Sequence, residues 1–189
     1  MMKVWYIHGA HATSRSFAWL KLELPYHEYV DIEYSTDNKM LDVVDSIDSR
    51  INDDGEEALI IGHSLGGVLG VAVAQRNPLV KRLVTLASPF GGSMVAAMMR
   101  FMAPNTILDD IYPQSRLMVG IHRAALTIPT LSVITTGGRS PLIAEPNDGV
   151  VSVSSQKALY GPRYVERDVN HFEVLMDLET KRLIEEFIA

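Results

Sequence analysis

Residues 58–70 read Ala58-Leu59-Ile60-Ile61-Gly62-His63-Ser64-Leu65-Gly66-Gly67-Val68-Leu69-Gly70, an apolar run that passes through a serine flanked by glycines into a second apolar stretch. Ala58 to Ile61 has the length and branching of a buried strand. Leu65 to Arg76, stopped by Asn77-Pro78, has the length of a helix. The chain must therefore turn sharply at Ser64. Gly62 and Gly66 stand two positions to either side, where side chains would collide in so tight a turn and where glycine tolerates the backbone strain. A strand, turn and helix of this kind lifts the serine hydroxyl above the edge of a sheet. It also leaves the Leu65 N–H at a helix start, without an intrahelical partner and at the positive end of the helix dipole, as a donor to an oxyanion. The bland alternative is that the glycines serve helix–sheet packing and Ser64 is an ordinary cap.

Outward from this stretch, short strand-like runs alternate with longer helical spacings. Strands are expected at Lys3 to Ile7, Asp31 to Tyr34, Ala58 to Ile61, Arg82 to Leu86, Thr130 to Thr135 and Tyr164 to Asp168. Helices are expected at about Ser16 to Glu23, Lys39 to Asn52, Leu65 to Arg76 and Glu173 to Phe187, the last with Val174, Leu175, Leu178, Leu183, Ile184 and Phe187 near one face. The alternation predicts a three-layer α/β/α sandwich around about six mostly parallel strands, in a single domain over residues 1–189. Residues 91–128 are the least regular part and form a candidate cap or lid-like insertion.

Composition narrows the function classes. Hydrophobic residues make up 47% and charged residues 21% of the 189 positions, as in ordinary globular domains. A net charge of -6 with scattered basic residues argues against a nucleic-acid partner. No apolar run approaches the ~20 residues of a membrane span, and the N-terminal run is too short for a secretory signal, so a cytoplasmic protein is the default expectation. The absence of cysteine removes thiol nucleophiles and thiolate metal sites, and the six histidines form no H-E-x-x-H pattern; neither metal nor cofactor is expected. Oligomeric state is left open.

Three further segments bear on Ser64. His8-Gly9-Ala10-His11 follows the first strand, where Gly9 permits a turn, His8 is placed to hold the loop, and the Ala10 N–H is the candidate second oxyanion donor. Asn147-Asp148-Gly149 lies in a loop beyond the penultimate strand; Asp148 is the candidate acid, against its reading as an Asp-Gly turn residue and against the competing carboxylates Glu145 and Asp168. Asn170-His171-Phe172 follows the last strand, which makes His171 the candidate general base; His27, His63 and His122 fit that position less well. In this chain order Ser64 would attack a carbonyl, His171 would take and return the proton, and Asp148 would orient the imidazole.

With His8-Gly9-Ala10, Gly62 to Gly66, the run Thr85 to Ser93, Asn147 to Val151 and Asn170-His171 assembled, the chain resembles the α/β-hydrolase superfamily, particularly compact bacterial lipases and esterases. The resemblance implies a minimal six-stranded version in the order 4-3-5-6-7-8 of the full fold, and a serine hydrolase that cleaves a carboxylic ester through an acyl-enzyme on Ser64. In the lipase pattern a histidine often stands where this chain has Phe90. Met94, Met98, Met99, Phe101 and Met102 are the candidate apolar wall for a small-molecule or lipid ester, against their reading as core. The alternatives are an acyltransferase or thioesterase with the same residues, or a noncatalytic ligand-binding relative.

Overall fold

The structure, a computed structural model, describes residues 2–24, 28–92 and 109–189. Six strands form one parallel sheet: β1 (Lys3–Ile7), β2 (Tyr29–Ile32), β3 (Ala58–His63), β4 (Val80–Leu86), β5 (Thr130–Thr135) and β6 (Arg163–Arg167), in the order β2-β1-β3-β4-β5-β6. This is the expected order.

Alternation along the strands divides the core into two layers. On one face Trp5, Ile7, Ala58 and Ile60 pack beneath α2 (Met40–Asp54), α3 (Leu65–Ala74) and α4 (Arg116–Arg123). On the other, Val4, Tyr6, Leu59, Ile61, Leu131 and Val133 meet Leu20 of α1 (Ala18–Glu23) and Leu183 and Ile184 of α6 (Leu178–Ile188). A short helix, α5 (Val153–Gln156), lies between β5 and β6. Helix α3 is buried nearly all round, which explains why it reads as a continuous apolar run rather than an amphipathic stripe.

Three expectations shift. Strand β2 spans Tyr29–Ile32 rather than 31–34: it is an edge strand whose one neighbour is β1, and the pairing of Ile7 with Ile32 ends where β1 ends. The expected single helix from 173 to 187 breaks into a 3-10 turn, Glu173–Met176, and α6, because the Asp177 carboxylate caps α6 by accepting from the Thr180 N–H at 2.9 Å and is held by Arg167 at 2.8 Å. In the described part of the irregular 91–128 region, Ser115 caps α4 by accepting from the Met118 N–H at 3.1 Å.

Helix α3 is seated by close approach of its first turn to β1. A Cβ on Gly66 would lie 2.0 Å from the Ile7 carbonyl oxygen, whereas one on Gly120, exposed in α4, meets nothing within 4 Å. Gly66→Ala is therefore expected to lower the unfolding free energy by more than about 2 kcal/mol, and Gly120→Ala to raise it by roughly 0.5–1 kcal/mol. Urea unfolding of the two variants checks both signs.

Candidate active site

Ser64 is the single residue between β3 and α3, with φ 53 and ψ -123, a backbone conformation that a side chain rarely adopts. Its surroundings over-determine it. The Ser64 N–H donates to the Leu86 carbonyl at 2.8 Å, and its own carbonyl accepts from the Gly67 N–H at 3.1 Å. Gly62 and Gly66 face each other across the turn so closely that a Cβ on Gly62 would stand 2.5 Å from the Gly66 oxygen. The serine is half-buried, and buried Leu65 opens the helix with its N–H outside the helical ladder.

The loop after β1 passes directly over this turn, since a Cβ on Gly9 would be 3.1 Å from the Ser64 Cβ. Its orientation is set by His8. The His8 ring is buried and stacked flat on Tyr34 at 4.3 Å, and Tyr34 donates its hydroxyl proton to the His8 carbonyl at 2.7 Å. Facing a carbonyl, His8 Nδ1 is the donor in its 2.8 Å contact with the Gly9 oxygen, which also accepts from the Ala12 N–H at 3.4 Å. A trans peptide sets carbonyl and N–H on opposite sides, so the Ala10 N–H points away from His8. His11, with φ 53, is exposed and contacts Thr36 Oγ1 at 3.2 Å through Nδ1.

Asp148 sits in the loop between β5 and α5 at 1% exposure and accepts from five protein groups. Oδ1 takes the N–H groups of Val150 at 2.9 Å and Val151 at 2.7 Å; Oδ2 takes the Thr135 hydroxyl at 2.6 Å, the Gln156 amide at 3.3 Å and His171 Nδ1 at 2.7 Å. Burial pushes the carboxyl pKa up, but the hydrogen bonds and charge interaction with His171 and the donors Thr135 and Val151 outweigh it and hold it below the usual value. Thr135 and Gln156 were not legible as site residues. Gln156 is fully buried and grips the end of β5 by accepting from the Thr135 N–H at 2.9 Å and donating to the Thr135 carbonyl at 3.0 Å. Their separation from Asp148 in sequence carries no signal; the nearest hint is a threonine closing an apolar strand.

His171 is 3% exposed and is bound to Asp148 twice, through Nδ1 and through its own N–H to the Asp148 carbonyl at 3.1 Å. With Nδ1 facing a carboxylate and carrying the proton, Nε2 of the neutral ring is the acceptor. Asn170 shapes the loop by accepting from the Phe172 and Glu173 N–H groups at 2.9 Å. The residue preceding Ser64 touches His171: His63 Nε2 donates to the His171 carbonyl at 2.8 Å. The structure thus gathers His63 to Gly66, Asp148 and His171 at one end of the sheet. Glu145 and Asp168 are exposed, and His122 donates instead to the Phe90 carbonyl at 2.8 Å. His27, together with Met94, Met98, Met99, Phe101 and Met102, lies outside the described residues. Among the described residues no three His, Asp or Glu side chains gather as a metal-ion ligand set, and no helix is long and apolar enough to cross a membrane. A cavity of about 370 Å³ opens beside the Asp148 loop, lined by Gly92, Leu142, Ile143, Val150, Val151 and Ala158 among others.

Burial drives the His63 pKa down from 6.5 to about 3, assisted by the neighbouring His171, so the ring is neutral in the fold. A depressed folded-state value means that its contribution to stability is present above 6.5 and is lost as pH falls toward about 3. Asp148 adds in the same direction at lower pH: its contribution is present above the ordinary 3.8 and is lost as pH falls through its lowered folded value. Between about pH 6 and pH 4 the His63 group alone is expected to lower the unfolding free energy by roughly 1 kcal/mol per pH unit. Urea unfolding across this range checks it, with His63→Gln expected to lack that part of the slope.

The sequence signature of the alpha/beta hydrolase family matches residues 6–171. No curated protein matches the chain. Among solved structures, the chain is similar in fold to the phospholipase PlaB from Legionella pneumophila, with a TM-score of 0.72 at 16% identity, covering 90% of this chain and 53% of that one. It therefore spans about half of that phospholipase's length. It is similar also to the monoacylglycerol lipase of Paleococcus ferrophilus (TM-score 0.65, 16% identity, 98% of this chain and 93% of that). A third is an extracellular alpha/beta-hydrolase from a Paenibacillus species (TM-score 0.66, 16% identity, 100% and 98%). A family signature that spans most of the chain, on a six-stranded parallel sheet with a sharp strand-to-helix turn at Ser64, establishes that the chain belongs to the alpha/beta hydrolase family.

Proposed function

We propose that this chain is a serine hydrolase that cleaves a carboxylic ester through an acyl-enzyme on Ser64. The observation that carries this reading is the buried 2.7 Å pair of Asp148 and His171, tied through His63 to the strained turn that holds Ser64. An ionised carboxylate on Nδ1 keeps the imidazole in the tautomer whose Nε2 accepts a proton and stabilises the imidazolium that forms. Ser64 attacks the ester carbonyl as His171 takes its proton; the tetrahedral oxyanion is met by the N–H groups of Leu65 and Ala10. His171 then protonates the leaving alcohol, and water, activated by the same base, releases the acid.

The name of the phospholipase and that of the monoacylglycerol lipase, both similar in fold, support a lipid or other apolar ester as substrate class. The cavity of about 370 Å³ beside the Asp148 loop, walled by Leu142, Ile143, Val150 and Val151 together with Glu145 and Ser152, is the candidate space for a chain of moderate length.

Ser64→Ala is expected to lower turnover by at least about 10⁴-fold while leaving the far-UV spectrum and melting temperature near those of the parent. Asp148→Asn is expected to cost about 10³–10⁴-fold in kcat, and Glu145→Gln far less, since its exposed carboxylate lines the cavity while Asp148 holds His171 Nδ1. Equal losses in the two variants would remove Asp148 from its role. A fluorophosphonate probe followed by peptide mapping should label Ser64, and nitrophenyl esters from acetyl to palmitoyl should show a preferred chain length; a folded protein that neither labels nor turns over an ester would overturn the hydrolase reading.

A further inference from the structure

His63 carries no proton in the proposed chemistry, yet its side chain is buried beside the acid–base pair. His63, the last residue of β3, is 2% exposed; its ring lies 4.9 Å from that of His171. Its Nε2 donates to the His171 carbonyl at 2.8 Å. His171 is then gripped at its N–H by the Asp148 carbonyl, at Nδ1 by the Asp148 carboxylate and at its carbonyl by His63, which leaves Nε2 as the ring atom outside the grip. The loops that bear Ser64 and His171 follow β3 and β6, which are separated in the sheet by β4 and β5. Nothing local in the chain sets the distance between them, and His63 spans the gap.

We propose that His63 is a positioning residue that fixes the main chain of His171 relative to Ser64, so that the residue preceding the nucleophile sets the placement of the base. This rests on the reading of Ser64 and His171 as nucleophile and base. A second feature argues against a packing role alone. His63 Nδ1 is buried with no hydrogen-bond partner among the described residues, a penalty that an apolar side chain of similar volume would not incur. Burial also keeps the ring neutral near neutral pH, so it supplies geometry rather than charge; the titratable groups that act on it are His171 and Asp148.

The test compares the parent with His63→Gln, His63→Asn and His63→Leu in the rate of fluorophosphonate labelling at Ser64 and in hydrolysis of nitrophenyl butyrate as a function of pH. The glutamine amide reaches the position of Nε2, while the asparagine amide falls at the position of Nδ1, short of the His171 carbonyl. Asn is expected to lower kcat and the labelling rate about 10- to 100-fold with KM within about twofold, the scale of a base displaced by a fraction of an ångström to an ångström. The midpoint of its acid limb should move to lower pH, because a looser Asp148 contact stabilises the imidazolium less. Gln should restore both rates to within about threefold and keep the parent midpoint. Leu, which keeps bulk without a donor, is expected to behave as Asn and takes its place if Asn does not fold. Parent-like rates and midpoint in Asn and Leu would overturn the proposal. So would a Gln variant as impaired as Asn, since the ring and not its donor would then matter. A parent protein that fails to label at Ser64 would instead remove the nucleophile reading, and this proposal with it.

Discussion

At Ser64 the chain turns from a central strand into a buried helix with φ 53, and the helix can begin there because its second residue, Gly66, lies against the carbonyl at the end of β1. No residue with a Cβ fits that approach. The close contact has two consequences: it seats α3 on the sheet, with the apolar residues of that helix forming much of one core layer, and it brings the loop after β1 over the serine. Fold and site are thus joined by one steric constraint. Backbone strain of this kind persists where surrounding structure over-determines it, and here it is held by the Leu86 carbonyl, the Gly67 N–H and two facing glycines.

The electrostatic counterpart is the Asp148 carboxylate. A buried carboxylate without partners would take up a proton rather than remain charged. Two main-chain N–H groups, a hydroxyl, an amide and an imidazole converge on this one and keep it ionised. Its donors arise from the end of β5, from its own loop, from α5 and from the loop after β6, so the charge also pins together the segments around it. Such a fully satisfied buried network is rigid, which suits a pair that must present a single ring nitrogen in one direction.

His63 extends the same logic to the elbow. Its bond to the His171 carbonyl links the strained turn to the acid–base pair, while His8 and Tyr34 fix the loop on the other side of the serine. A hydrogen bond therefore joins the tight turn to the base at one end of the sheet, with the loop after β1 packed over the turn.

Most of the strands, the direction of the sheet and the roles suggested for Ser64, Asp148 and His171 were legible in the residues, because hydrophobic period, glycine spacing and turn residues act locally along the chain. Edges were less legible: where β2 stops depends on its neighbour β1, and the break at Asp177 depends on Arg167 as well as on the helix cap. The bond between the Asp148 carboxylate and His171 Nδ1 required the fold to be seen, as did the contacts made by Thr135, Gln156 and His63. Local sequence determines which way a segment turns and which residues it can bury. Which side chains share a hydrogen bond across the sheet is decided only when strands distant in sequence are packed, since a partner 108 residues away, as His171 is from His63, leaves no trace in spacing.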